Sequence, residues 1–127
     1  MGEFLARIAM FPDAAITSPA QRARHTLELA MEAGEWRCPV RESERLYGGG
    51  TNDLITELRK HGGDAGVLIV VGHEPTWSEA VAVLTGGSEV RMPTAGAARI
   101  DFDVIGWPDV RAGAGLLTWL VNPRLFE

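Results

Sequence analysis

Three short runs of this 127-residue chain hold the side chains best suited to chemistry on an anion. Thr17-Ser18-Pro19-Ala20-Gln21-Arg22 sets a small hydroxyl, a proline and an arginine within one turn. Gly72-His73-Glu74-Pro75 sets an imidazole and a carboxyl between a glycine and a proline. Arg41-Glu42-Ser43-Glu44-Arg45 alternates charge ahead of Leu46-Tyr47 and Gly48-Gly49-Gly50. A guanidinium offers a planar fork to two phosphate oxygens, which makes Arg22 a candidate phosphate ligand. An imidazole can donate a hydrogen bond to a phosphoryl oxygen or exchange a proton near neutral pH, which makes His73 another. A carboxyl in a loop over such a site can act as a general acid, and Glu42 and Glu44 are the candidates. Residue types alone leave alternatives open. Arg22 can be a surface cation paired with an acidic neighbour, His73 a helix cap, and Glu44 part of a solvated charged stretch.

These groups act together only if the chain carries them to one place. A short amphipathic helix is expected over Glu3–Met10, stopped by Pro12, and a short buried strand over Ala14–Thr17. Ser18 suits a helix N-cap and Pro19 the first helical position. That helix is expected to run to about Ala33, with Gly34 as its stop and Ala23, Leu27, Ala30 and Met31 as its core face. Pro39–Glu42 reads as a second short strand, and Thr51 or Asn52 as the cap of a helix ending near His61. Gly66–Val71 is apolar on both faces and is expected in the middle of a covered sheet. A helix over Thr76–Leu84 follows it. Ala97–Val104 alternates as a half-exposed strand, and Leu116–Val121 closes an antiparallel hairpin with a long loop. Strands alternating with helices predict a single α/β domain over residues 1–127, a three-layer sandwich whose central sheet is mostly parallel with an antiparallel edge. In such a sheet both strand-to-helix turns, at Ser18 and at His73, lie at the carboxyl ends of their strands. There, helix N-termini favour an anion.

Composition removes several function classes. Seventeen acidic against 12 basic residues give a formal net charge of −5, which argues against a nucleic-acid partner. The longest apolar run, Val67–Val71, falls far short of the roughly 20 residues that cross a bilayer, so no membrane partner is expected. The single cysteine, Cys38, cannot form an internal disulfide, and a reducing, cytoplasmic location is expected. All but one of the basic residues are arginine, which fits either phosphate chemistry or codon bias. No Gly-x-Ser-x-Gly elbow occurs. Lys60 is followed by His61, which breaks a Walker-type loop. Trp77 stands where a zinc-helix motif begun at His73-Glu74 needs its second histidine, and Cys38 and the three histidines have no metal-ligand spacing. His25, inside a helix, and His61, at a helix C-terminus, read as structural or solvated.

Ser18-Pro19-Ala20-Gln21-Arg22-Ala23-Arg24-His25-Thr26, Val70-Val71-Gly72-His73-Glu74-Pro75 and Met92-Pro93-Thr94-Ala95-Gly96, in this order and spacing, resemble the histidine phosphatase superfamily. Within it the chain is most similar to the small SixA-type phosphohistidine phosphatases, a branch that Trp119-Leu120-Val121-Asn122-Pro123 also fits. The resemblance covers essentially the whole chain. It implies a phosphoglycerate mutase-like fold and a phosphatase acting on a phosphorylated protein, such as a phosphohistidine protein, or on a small phosphorylated molecule. It assigns Arg22 to the phosphate pocket, His73 as the second pocket histidine in contact with phosphoryl oxygens, and Ser18 to the turn that presents Arg22. Glu44 becomes the candidate for the acid that protonates the leaving group. No metal and no organic cofactor is expected, because arginine and histidine side chains neutralise the phosphoryl charge.

The chain departs from the family at one place. The family opens on a strand ending in Arg-His-Gly or Arg-His-Ala, whose histidine is the nucleophile, and no such triplet occurs here. Arg24-His25 is followed by Thr26 inside a helix and cannot substitute. Met1 aligns with the middle of the family's first helix, so the chain reads as N-terminally truncated by roughly 30–40 residues, about one strand, a loop and half a helix. Two readings follow: a phosphatase whose true start lies upstream, or a short, non-catalytic phosphate-binding or structural relative. The absent strand is central in the family sheet, and its loss exposes backbone edges. The expected remedies are closure of the sheet without it, coverage by a second chain such as a homodimer, or low solubility.

Overall fold

The computed structural model describes residues 1–87 and 89–126. Four helices and five strands follow in the order α1 (Gly2–Arg7), β1 (Ala14–Thr17), α2 (Gln21–Gly34), β2 (Val40–Glu42), α3 (Thr51–His61), β3 (Leu68–Val71), α4 (Thr76–Leu84), β4 (Ala97–Phe102) and β5 (Gly115–Val121). Single 3-10 turns occupy Glu44–Leu46, Trp107–Asp109 and Pro123–Phe126. Strand β1 runs between β2 and β3, all three parallel, with Ala15 opposite Val40 on one side and Ile69 on the other. Strands β4 and β5 form an antiparallel pair with an irregularity between Arg99 and Ile100. The mixed α/β class, the parallel strands and the antiparallel pair are those the sequence pattern predicts.

The five strands do not join into one sheet among the described residues. Among the described residues β3 pairs only with β1, and β4 only with β5, so the two ladders stay separate. The apolar run at β3 predicts a central, covered strand. Instead β3 is the end strand of its ladder, and all four of its residues are only half-buried. Both ladders nevertheless face one core. Ile16, Leu54, Leu58, Leu84 and Val110 are buried, and Leu68 and Val70 of β3 and Ile100 and Phe102 of β4 pack against that cluster. The two ladders thus share a core of apolar side chains while their outer backbone edges stay unpaired among the described residues.

Helix α3 holds the antiparallel pair to the rest. The connection between β4 and β5 lays Trp107 on Gly62, where a Cβ would sit 2.2 Å from the indole. Trp107 Nε1 donates to the Ala65 carbonyl at 2.8 Å, and Arg59 Nε donates to the Val110 carbonyl at 2.7 Å. At the other end of the parallel ladder, Asp13 Oδ2 accepts from the N–H groups of Gly66 and Val67, both at 2.8 Å. This carboxylate fixes the start of β3 beside the start of β1.

Helix bounds depart from expectation where long-range contacts intervene. Helix α1 ends at Arg7, three residues short of the predicted Met10, and Ala9 follows with a positive φ of 55°. Gly34 does not stop α2. It is the helix's last residue, buried against Trp36, and Glu35 takes the left-handed cap with φ 56°. Gly50 precedes α3 in place of Thr51 or Asn52, and its N–H donates to Asp53 Oδ2 at 3.1 Å. Trp107→Ala should lower the unfolding free energy by about 3 kcal/mol, the cost of deleting a packed aromatic, measured by urea denaturation. An unchanged midpoint would show that the loop is not what secures β4 and β5.

Candidate functional site

The two anion-suited turns leave the sheet side by side. Thr17 and Val71 are register partners at the carboxyl ends of β1 and β3, and the Ser18 N–H donates to the Val71 carbonyl at 2.9 Å. Gly72 keeps the second turn tight, because a Cβ there would sit 2.4 Å from the Trp77 ring. Parallel strands of equal length thus deliver Ser18 and His73 to one rim, 55 residues apart in sequence.

There the two side chains meet. His73 Nε2 and Ser18 Oγ lie 2.8 Å apart, and Ser18 Oγ also accepts from the Ala20 N–H at 3.2 Å. Ser18 is fully buried. Sequence suggests that Ser18 caps α2 directly with Pro19 as the first helical residue, but α2 begins at Gln21 with Ala20 as its N-cap. The Pro19 ring and the extended backbone at Ala20, with ψ 138°, displace the helix start. The hydroxyl is thereby placed to serve the imidazole as well as the chain turn. His73 does not cap its own helix. Glu74 does: Ser78 N–H donates to Glu74 Oε1 at 2.7 Å, and the Ser78 hydroxyl donates to Glu74 Oε2. Ser78 Oγ in turn accepts from the Met92 N–H at 2.8 Å, which anchors the Met92–Gly96 segment to α4.

Arg22 is the second residue of α2 and is exposed. Among the described residues no carboxylate pairs with it, whereas Arg24, one turn face away, pairs with Glu42 at 2.9 Å. The alternative of Arg22 as a paired surface cation is thus not what the structure contains. The same ion pair occupies Glu42. Glu44, in the 3-10 turn Glu44–Leu46, is exposed and makes no side-chain hydrogen bond or ion pair with Ser18 or His73 among the described residues. His25 is exposed on α2, and His61 faces Glu57 at 3.9 Å on α3; neither makes a hydrogen bond with Ser18 or His73 among the described residues. No group of three or more His, Cys, Asp or Glu side chains converges as a metal site among the described residues.

Two neighbours of His73 were not singled out from sequence. The Tyr47 ring stands edge-on to the imidazole, with centroids 6.1 Å apart. Thr76 Oγ1 donates to the Gly49 carbonyl at 2.8 Å, tying the glycine run to the start of α4. The only available signal was the position of Leu46-Tyr47 before three glycines, which marks a loop but not what the loop covers.

No protein-family model matches the chain. The uncharacterized proteins MT1313 and Rv1276c of two Mycobacterium tuberculosis strains are each 36% identical to it over 124 residues, 88% of this chain and 74% of theirs. The chain belongs to their family. ML1117 of Mycobacterium leprae is 33% identical over 93 residues, 65% of this chain and 55% of its own length. Among solved structures, the protein histidine phosphatase SixA complexed with tungstate superposes with a TM-score of 0.83 at 20% identity, over 99% of this chain and 78% of that one. The SixA phosphohistidine phosphatase from Nakamurella multipartitia gives 0.81 at 22% identity over 96% of this chain and 77% of that one. The chain therefore has the SixA fold, and in each SixA superposition about a quarter of the neighbour's chain lies outside the match.

Ser18→Ala should remove the hydrogen bond to His73 and lower stability by about 1 kcal/mol, the net worth of one buried hydrogen bond. NMR of the His73 ring checks the contact: its Nε2 resonance should move on substitution, and an unmoved resonance would contradict the pairing.

Proposed function

We propose that this chain forms the phosphate pocket of a SixA-type histidine phosphatase acting on a phosphorylated protein, phosphohistidine included, or on a small phosphorylated molecule. The observation that carries the reading is the 2.8 Å contact between Ser18 Oγ and His73 Nε2, which joins the two strand-to-helix turns at one rim. Arg22 supplies the fork for two phosphoryl oxygens and is free of any carboxylate among the described residues. Ser18 orients the imidazole of His73, which contacts the phosphoryl group, and Glu44 protonates the leaving group. The tungstate bound by the SixA relative in structure supports an oxyanion ligand for this fold. No helix among the described residues is long and apolar enough to cross a membrane, and we assign the protein to the cytoplasm on its lone cysteine.

Phosphoryl transfer in the superfamily this chain resembles runs through a histidine that attacks phosphorus, releases the leaving group and is then freed by water. Of the three histidines here, His73 is engaged by Ser18, His25 is exposed on α2, and His61 faces Glu57. These residues therefore bind and orient a phosphoryl group, and the attacking imidazole has to come from outside them. Turnover then needs a nucleophilic imidazole from beyond these residues, while Arg22, Ser18 and His73 supply the binding and orientation of the phosphoryl group. The open edges of β3 and β4 then require cover, and we assign that role to a second copy of the chain.

Orthovanadate or inorganic phosphate should bind the chain, and Arg22→Ala and His73→Ala should each weaken binding at least about tenfold, as expected for charge-assisted hydrogen bonds. Binding unaffected by both substitutions would remove the pocket. Turnover of an aryl phosphate should stay at background, and clear turnover abolished by His73→Ala would place the nucleophile within these residues after all. Light scattering should give a dimer mass; a monomer at high concentration would contradict the assigned cover.

A further inference from the structure

Glu57 is the buried charge that the phosphate site does not use. It lies on α3 between the core residues Leu54 and Leu58 and is only 2% exposed. Two arginines and a histidine face it: Arg45 Nε is 3.7 Å from Oε1, and Arg41 Nε and His61 Nε2 are 3.6 and 3.9 Å from Oε2. Oε2 is buried and accepts no hydrogen bond. A carboxylate is costly to bury unless opposite charge compensates it. Here the compensation comes from two arginines that belong to the same stretch of chain. Arg41 is in β2 and Arg45 in the 3-10 turn, on either side of Glu42-Ser43-Glu44. Both are about half-exposed, so each reaches inward from the surface to this one group.

That stretch continues straight into the site. Leu46 is buried, Tyr47 stands against the His73 ring, and the Gly49 carbonyl accepts from Thr76 at the start of α4. Tyr47 is itself 64% exposed, so little packing of its own fixes it. Its position depends on what holds the chain on each side. Thr76 holds the far side; on the near side buried Leu46 and the Ser43 N–H to the Thr17 carbonyl anchor the backbone, and the pair of arginines on Glu57 fixes the turn between them.

We infer that Glu57 is a positioning residue for the His73 site: through Arg41 and Arg45 it clamps the connection between β2 and α3, and so sets where Glu44 and Tyr47 stand over the pocket. The role of the pocket rests on the phosphate-binding reading above, but the clamp itself can be read without any ligand. Tyr47 is the chain's single tyrosine. Protein labelled with 3-fluorotyrosine therefore gives one fluorine resonance that reports the loop directly.

Glu57→Gln keeps the shape of the side chain and removes its charge. It should shift the Tyr47 resonance toward that of free tyrosine. In the same variant orthovanadate affinity should fall about three- to fivefold, the scale of a partly screened ion pair. Glu57→Asp, which retains the charge on a shorter arm, should recover part of the shift; a defect of packing alone would be worsened by the shorter side chain. Should Glu57→Gln fail to fold, the double variant Arg41→Gln, Arg45→Gln opens the clamp from its half-exposed side and should move Tyr47 in the same way. An unmoved Tyr47 resonance in either folded variant would overturn the inference. A moved resonance in a protein whose wild type binds no vanadate would uphold the clamp and reject the phosphate reading instead.

Discussion

A single hydroxyl-to-imidazole contact, Ser18 to His73, ties together the two strand-to-helix turns on which the proposed pocket rests. It depends on the backbone before it depends on the side chains. Strands β1 and β3 must run parallel and in the register that sets Thr17 beside Val71. Asp13 fixes that register at the opposite end by accepting from two successive N–H groups at the start of β3. A slip of one residue would turn every side chain of β3 to the other face and carry His73 away from Ser18. The core on Ile16, Leu68 and Val70 and the carboxylate at Asp13 are thus conditions of the site.

Electrostatics around this rim is arranged by sparing some charges and using others. The N-termini of α3 and α4 are already served by the carboxylates of Asp53 and Glu74. The start of α2 receives only the Ser18 hydroxyl, which is neutral. Arg22 lies in the first turn of α2, near the positive end of that helix. The flanking arginines are committed elsewhere, Arg24 to Glu42 and Arg41 and Arg45 to Glu57. Arg22 alone among these arginines has no carboxylate partner among the described residues.

Local chemistry made much of this legible in the sequence. β1 and α4 match their predicted bounds, because each is framed by proline or glycine and carries a plain periodicity. The motifs at Ser18 and His73 fall at the ends of adjacent strands, as alternating strands and helices require. Features that rest on distant partners were not legible. Ser18 looks like a helix cap until His73, 55 residues on, claims its hydroxyl. Gly34 looks like a helix stop until Trp36 folds back onto it. Glu57 looks like one more solvated charge of a polar helix, and nothing near it in sequence says that Arg41 and Arg45 cover it. β3 shows the limit in the other direction. Its apolar run correctly marks a strand made for two neighbours, while pairing within the described residues supplies only one.

The central claim is geometric: one oxyanion should sit between the first turn of α2 and the ring of His73. A crystal structure of the protein grown with tungstate tests it most directly. The account predicts the metal-oxyanion within hydrogen-bond reach, about 3 Å, of both the Arg22 guanidinium and the His73 imidazole. Tungstate bound away from both side chains, with Arg22 and His73 facing separate surfaces, would contradict it.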